Sequence, residues 1–183
     1  MVTKGLFFDQ TFFYEETPVD ENVDWHIIRP VIWNCQKVYV EDIIGTPLYD
    51  VIEAEIISNA GALTTGRLVT LTNEYIVPCL VNYCMMELTT TLTFKFKNRS
   101  LQTQRSSDSD EVTLESIRYI KAEYKDLAEK FAEKIQRYLQ ANSSTFPEYT
   151  TYTSSDQVRA MDQKPTVGVY LPGMEKYCPK FNL

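Results

Sequence analysis

Four stretches of the chain place apolar residues at the 3.6-residue period of a helix. One short stretch alternates strictly, and the C-terminal region follows neither pattern. The first predicted helix runs from about Val23 to Tyr39, with a stripe of Trp25, Ile28, Val31, Ile32, Cys35 and Val38. Asn22 is its expected cap, Asp24 suits the positive end of the helix, and Pro30 predicts a kink or a late start. Val40–Ile44 reads as a separate helical turn closed by Gly45. Thr46 and Pro47 then have the chemistry of an N-cap and a first helical position, opening a second helix whose inner face is Leu48, Val51, Ile52 and Ile56. Asn59-Ala60-Gly61 ends it, and Thr64-Thr65-Gly66 reads as loop. A third helix is expected from Thr72 or Asn73, with Ile76, Leu80, Tyr83 and Val77, Cys84, Leu88 as its apolar rows.

The period then changes. Leu92–Lys97 alternates, Asn98-Arg99-Ser100 has turn chemistry, and Leu101–Arg105 is a candidate return strand, so a small β-hairpin is expected here. Ser106–Glu111 reads as a solvated acidic linker. The fourth helix, from Thr113 to Ala141, has the most regular pattern. Ile117, Tyr124, Phe131 and Tyr138 recur every seven residues, Ile120, Leu127 and Ile135 fill between them, and Asp126–Lys130 and Glu133–Arg137 are i,i+4 pairs for its wet face. Residues 150–183 carry Pro165, Pro172 and Pro179 and have no helical period, yet keep Val167, Val169, Tyr170, Leu171, Tyr177 and Phe181 as apolar anchors. This is the composition of an extended arm that binds another chain, with a strap packed on its own domain as the alternative. The near-N-terminal apolar clusters Leu6-Phe7-Phe8 and Phe12-Phe13-Tyr14 need a cover of their own.

Composition narrows the function classes. A 183-residue chain with 44% hydrophobic and 13% aromatic residues can build one substantial core. Lys plus Arg number 18 against 25 Asp plus Glu, a net charge of −7, which disfavours wrapping nucleic acid over the whole surface. Lys95, Lys97, Arg99 and Arg105 form a local basic group whose two readings are a phosphate contact and, more commonly, a solvated strand face. Cys35, Cys79, Cys84 and Cys178 make no C-x-x-C pair and have no zinc spacing, so reduced thiols are expected, with no metal and no cofactor, and Cys35, Cys79 and Cys84, in apolar helical surroundings, are expected to be buried as small hydrophobes. His26 is the only histidine, and on one helix it lies about 13 Å from Cys35, too far for a nucleophile–base pair. No G-x-S-x-G, H-E-x-x-H, Walker or G-x-G-x-x-G motif occurs. No run of residues has the length of a membrane span, and no signal peptide is expected. The residues therefore point away from an enzyme.

The order of these signals resembles a known family. An aromatic N-terminal segment precedes Asn22-Val23-Asp24, a helix with Pro30 and Gln36, Tyr39-Val40, and Ile44-Gly45-x-x-Leu48-Tyr49. A helix with Val77-Pro78, a hairpin, Ser106-Ser107-Asp108, a long helix from Thr113 and a closing Phe146-Pro147-Glu148-Tyr149 follow. Across residues 6–149 this is similar to the head-to-tail adaptor, or connector ring, proteins of tailed bacteriophages, most of all those of crAss-like phages. It departs at Cys35, in place of an alanine, and at Arg99-Ser100, in place of a Lys-Gly turn. The resemblance implies an α-helical bundle, and with the residue patterns above the expected fold is mainly α: a four-helix bundle adaptor over residues 1–149 with a small β-hairpin between helices 3 and 4, and an extended C-terminal arm over 150–183 that lies outside the match. It implies a structural virion protein of the head–tail neck, made in the host cytoplasm, that forms a ring, a dodecamer, between portal and tail. Its implied partners are its own copies, the portal, other neck or tail rings, and genomic DNA passing without sequence recognition. The basic group would touch that DNA, and the arm would dock on a neighbouring subunit or an adjacent ring. The alternative is a nucleic-acid-binding helical module using the basic hairpin at 95–105.

Overall fold

The computed structural model describes residues 5–97, 100–103, 113–151 and 157–161. Its helices are numbered here as continuous rods. Helix α1 is Gln10–Glu16, and α2 joins Trp25–Cys35, Gln36–Val40 and Glu41–Ile44. Helix α3 is Thr46–Ser58, α4 joins Gly66–Leu71, Thr72–Ile76 and Val77–Thr93, and α5 is Leu114–Ala141. The expected fold class is thereby corrected. Among the described residues five helices, rather than a four-helix bundle with a β-hairpin as part of its architecture, make the fold. The added helix, α1, is capped by Asp9, which accepts from the Phe12 amide at 2.9 Å. It covers the aromatic residues near the N-terminus: Phe8 stacks on Phe13 at 5.8 Å, and Phe13 meets Trp25 at 6.5 Å.

Two π-helical turns explain the other differences. Gln36–Val40 and Thr72–Ile76 each contain an amide that reaches back five residues, from Glu41 to Gln36 and from Val77 to Thr72. Each turn inserts one residue into the helical phase, so the buried apolar positions fall five apart, as Cys35 to Val40 and Leu71 to Ile76, with the buried polar Gln36 and Thr72 between them. A 3.6-residue pattern breaks at both places although the helix continues. Val40–Ile44 is thus the end of α2 and no separate turn, and Gly66, expected in a loop, opens α4 behind Thr65. The second π-turn also seats Pro78. A proline inside a helix clashes with the carbonyl four residues earlier, here Glu74, and the widened turn gives that carbonyl room. Leu92 and Thr93, expected at the start of a strand, are the last residues of α4. Beyond them Phe94–Lys97 runs antiparallel to Ser100–Thr103, a pairing of four residues a side that adds no layer to the bundle.

Helices α4 and α5 form the main antiparallel pair, ordered by Tyr75 stacked on Tyr138 at 4.3 Å, the Cys79 thiol on the Ala128 carbonyl at 3.4 Å, and Lys121 on Thr90 at 3.3 Å. The face of α5 turned inward is Ile117, Ala128, Ala132, Ile135 and Leu139. The alanines let the two backbones approach closely, and they rotate Ile120 and Leu127 away from the core, where both were expected. Glu133 and Arg137 do pair across the wet face at 3.0 Å, joined by Lys125 and Glu129 at 3.5 Å. Helix α2 packs on α4 through Tyr39 stacked on Tyr83 at 4.2 Å. Asp24, rather than Asn22, caps α2 by accepting from the His26 amide at 2.9 Å. Gly45 turns the corner between α2 and α3 at φ 82°, a backbone angle that favours glycine.

Polar clips close the ends of the bundle. Buried Gln36 donates to the Gly5 carbonyl at 3.0 Å and to the Tyr49 hydroxyl at 3.4 Å, and accepts from the Phe7 amide at 3.2 Å, so it straps residues 5–8 onto α2 and α3. Arg67 grips Glu148 with two hydrogen bonds, at 2.9 and 2.6 Å, and lies over the buried Phe146 ring. That pair holds the turn Pro147–Tyr149 against α3 and α4. Thr72 is the exception: its buried hydroxyl has no hydrogen-bond partner among the described residues. Thr72→Val keeps the shape and removes an unpaired polar atom, so we expect it to stabilise the protein by about 1 kcal/mol. A lower unfolding midpoint in urea would contradict that.

Glu55, near the end of α3, accepts from the Thr64 amide, the Thr64 hydroxyl and the Thr65 amide at 2.7–2.8 Å, fixing the loop into α4. These bonds, the Thr64 hydroxyl first, hold its carboxyl at about 2 against an ordinary 4.5. The depressed value stabilises the folded state above the ordinary carboxylate range, and that contribution is lost as pH falls from 4.5 through about 2. Solvent screens so exposed a group, so the effect is local. Amide exchange at Thr64 and Thr65 is expected to accelerate relative to that of α3 as pH drops across this window. In Glu55→Ala, which leaves no acceptor for the three bonds, it is expected to be fast throughout, and a variant protected like the parent would contradict the assignment.

Candidate interaction surface

Among the described residues the titratable groups assemble no reactive centre. Cys35, Cys79 and Cys84 are all buried, and burial pushes the Cys79 thiol up to about 12 and that of Cys84 well above its usual range. Such thiols pack as hydrophobes. Among the described residues no group of three or more His, Cys, Asp and Glu side chains could hold a metal ion. His26 is exposed at the start of α2. Also among the described residues, no helix is long and apolar enough to cross a membrane.

Among the described residues three apolar surface features stand out, and each is built by different elements. A hollow of about 380 Å³ lies between the N-terminal segment, the start of α2 and the end of α3. Leu6, Phe8, Trp25, Ile56 and the half-exposed Ile57 line it, with Asp9 and Arg29 at its edge. The second feature is the flank of α5 bearing Ile120 and Leu127, 38% and 44% exposed. Tyr124 and Phe131, one turn along, are only partly buried beside them. The alternation of buried alanines with larger flanking residues produces this stripe, and the seven-residue repeat alone does not reveal which of its rows faces out.

The third feature is a trough between α2, α4 and α5, about 480 Å³ in volume. Stacked Tyr39 and Tyr83, with Ile43 and Met86, form its apolar lining. The Tyr39 hydroxyl donates to Glu87 at 2.8 Å, and burial together with that carboxylate pushes its pKa well above the usual phenol value. Lys121 meets Glu87 at 3.6 Å, and Lys125 and Glu129 lie along the α5 wall. A second hollow of about 240 Å³, lined by Val31, Cys35, Val38 and Thr91, shares Val38, Tyr39 and Glu87 with the first. The two form one trough with Val38, 60% exposed, as a ridge across it.

Among the residues expected to touch DNA, Lys95 and Lys97 fall in Phe94–Lys97, while Arg99 and Arg105 lie outside the described residues. The arm anchors Val167, Val169, Tyr170, Leu171, Tyr177 and Phe181 also lie outside them. The start of the region read as an arm returns to the bundle. Val158 donates to the Thr46 hydroxyl at 2.9 Å and accepts from the Thr46 amide at 3.0 Å, and Ala160 is buried. Thr46, expected as a helix cap, serves this contact and also donates to Glu41 at 2.8 Å. Sequence reasoning gave no signal for this role, because it depends on a residue more than a hundred positions away.

No curated protein and no solved structure matches the chain. Residues 40–159 match one family model, a stretch that runs from the end of the first π-turn through the segment docked on Thr46. The chain belongs to that family, DUF6712, a family of unknown function.

Proposed function

We propose that this chain is a structural virion protein that forms a connector ring, a dodecamer, between the portal and the tail of a bacteriophage. In this reading it extends the DNA channel and joins head to tail without catalysis. Its partners are its own copies, the portal and neighbouring neck or tail rings. DNA passes through without sequence recognition, and Lys95, Lys97, Arg99 and Arg105 are the positions assigned to local contact with it. The observation that carries the reading is the presence of two apolar patches on different elements, the hollow beside Ile57 and the α5 stripe at Leu127. A closed ring of identical subunits needs a heterologous interface, in which each subunit offers two different surfaces.

That requirement gives a test. Ile57→Asp and Leu127→Asp each damage one patch at a half-exposed position, so both variants are expected to fold. Each alone is expected to form no ring by electron microscopy or by mass in solution. Mixed together, the variants retain one intact pair of patches and are expected to stop at a heterodimer. Rings formed by either variant would contradict the assignment of the interface.

A further inference from the structure

Two charged residues border the hollow at Ile57 and two border the α5 stripe, and among the described residues none of the four forms an ion pair. Arg29 is exposed at the edge of the hollow, and Asp9 stands there with its carboxylate accepting from the Phe12 amide. On α5, Glu123 and Lys130 lie one turn before and one turn after Leu127, on the side away from Tyr124 and Phe131. Glu123 accepts a neutral hydrogen bond from the Tyr119 hydroxyl at 3.1 Å. Lys130 does not make the expected pair with Asp126, although its neighbours do pair within the helix, Lys125 with Glu129 at 3.5 Å and Arg137 with Glu133 at 3.0 Å.

We propose that the hollow of one copy receives Leu127 of a second copy in one direction only, with Glu123 beside Arg29 and Lys130 beside Asp9. This rests on the pairing of the two patches proposed above, not on closure of the ring, and adds the polarity of the contact. Apolar burial does not distinguish the two directions in which a helix can cross a hollow. Charge does. Reversing α5 sets Glu123 against Asp9 and Lys130 against Arg29, two like-charge contacts in place of two opposite ones. Glu123 and Lys130 are seven residues apart, about 10 Å along the helix, at opposite ends of Leu127. The two charges of the hollow likewise come from different elements, the cap of α1 and the second turn of α2. A contact that formed equally well both ways would give neighbouring copies two relative orientations, and only one of them can repeat around a closed assembly.

A charge-reversal cycle in full-length chains tests this. The Ile57→Asp chain keeps the stripe and the Leu127→Asp chain keeps the hollow, so their heterodimer isolates one contact, whose dissociation constant is read by sedimentation at low ionic strength. Glu123→Arg in the first chain, or Arg29→Glu in the second, is expected to weaken the heterodimer about fivefold or more. The two reversals together are expected to restore it to within about twofold of the parent pair. Both side chains are exposed, so the substitutions leave the core intact. Restoration supports the pairing whether or not the parent chain closes into a ring. A doubly reversed pair no tighter than the singly reversed ones would overturn the proposal and leave the connector reading standing, as would a heterodimer insensitive to either reversal. Self-association of the Ile57→Asp chain alone would mean that the stripe pairs with itself, and would also overturn it. No heterodimer at all would overturn the proposal together with the interface on which it rests.

Discussion

Phe146→Ala is expected to be among the most damaging single substitutions in the protein, costing about 3–5 kcal/mol. Phe146 is fully buried and precedes the turn Pro147–Tyr149. Its ring meets Tyr138 at 6.0 Å, and Tyr138 in turn stacks on Tyr75 of α4. Truncation opens a cavity under the Arg67 guanidinium and removes the floor on which the Arg67–Glu148 pair rests. The pair itself contributes less. Glu148→Gln keeps the shape and removes only the charge of a partly exposed bridge, so a loss of about 1 kcal/mol is expected. Arg67 holds the Glu148 carboxyl below its usual range, so the bridge stabilises above that range and weakens as pH falls. Urea unfolding of the two variants separates the effects. Equal losses would mean that charge, and not burial of the ring, closes this end of the bundle.

Gln36→Leu is expected to cost about 2–4 kcal/mol. Leucine fills much of the same volume, so the loss measures hydrogen bonding more than packing. Without the amide, the Phe7 N–H and the Gly5 carbonyl lose their partner inside the protein. The Tyr49 hydroxyl loses its donor as well, in a site where burial already holds the phenol well above its usual pKa. The N-terminal segment then keeps side-chain contacts such as Phe7 on Tyr49 at 5.5 Å. Hydrogen exchange should therefore rise across residues 5–16 far more than in α5. Uniform destabilisation without that local release would show that Gln36 serves the core generally and is not the clasp of the N-terminal segment.

What the sequence disclosed depended on whether the helical period was continuous. Helix α5 was legible from Thr113 to Ala141, because no π-turn interrupts its pattern and Thr113 caps it, accepting from the Ser116 amide at 3.2 Å. Helix α2 was broken in two by a one-residue phase shift at Gln36–Val40, and the reading of α4 began only at the shift, Thr72–Ile76, so that Gly66–Leu71 was missed. Helix α1 is only seven residues long, too short to show a period, and its aromatic residues signalled burial without signalling helix. The rows of α5 misled for a different reason. Size favoured Ile120 and Leu127 as core positions, whereas close packing against α4 selected Ala128 and Ala132. Of the surface, the basic group and the arm could be named as residues. The hollow at Ile57, the trough at Val38 and the clip between Thr46 and Val158 join distant parts of the chain, and no local pattern records them.

The most direct measurement of the central claim is the mass and shape of the purified full-length protein, alone and mixed with its portal, by light scattering and negative-stain electron microscopy. The connector reading predicts rings with a central hole, of a mass corresponding to about twelve chains, formed by the protein itself or on the portal as template. A chain that stays monomeric at high concentration and with the portal present, and is absent from the virion neck, would contradict it.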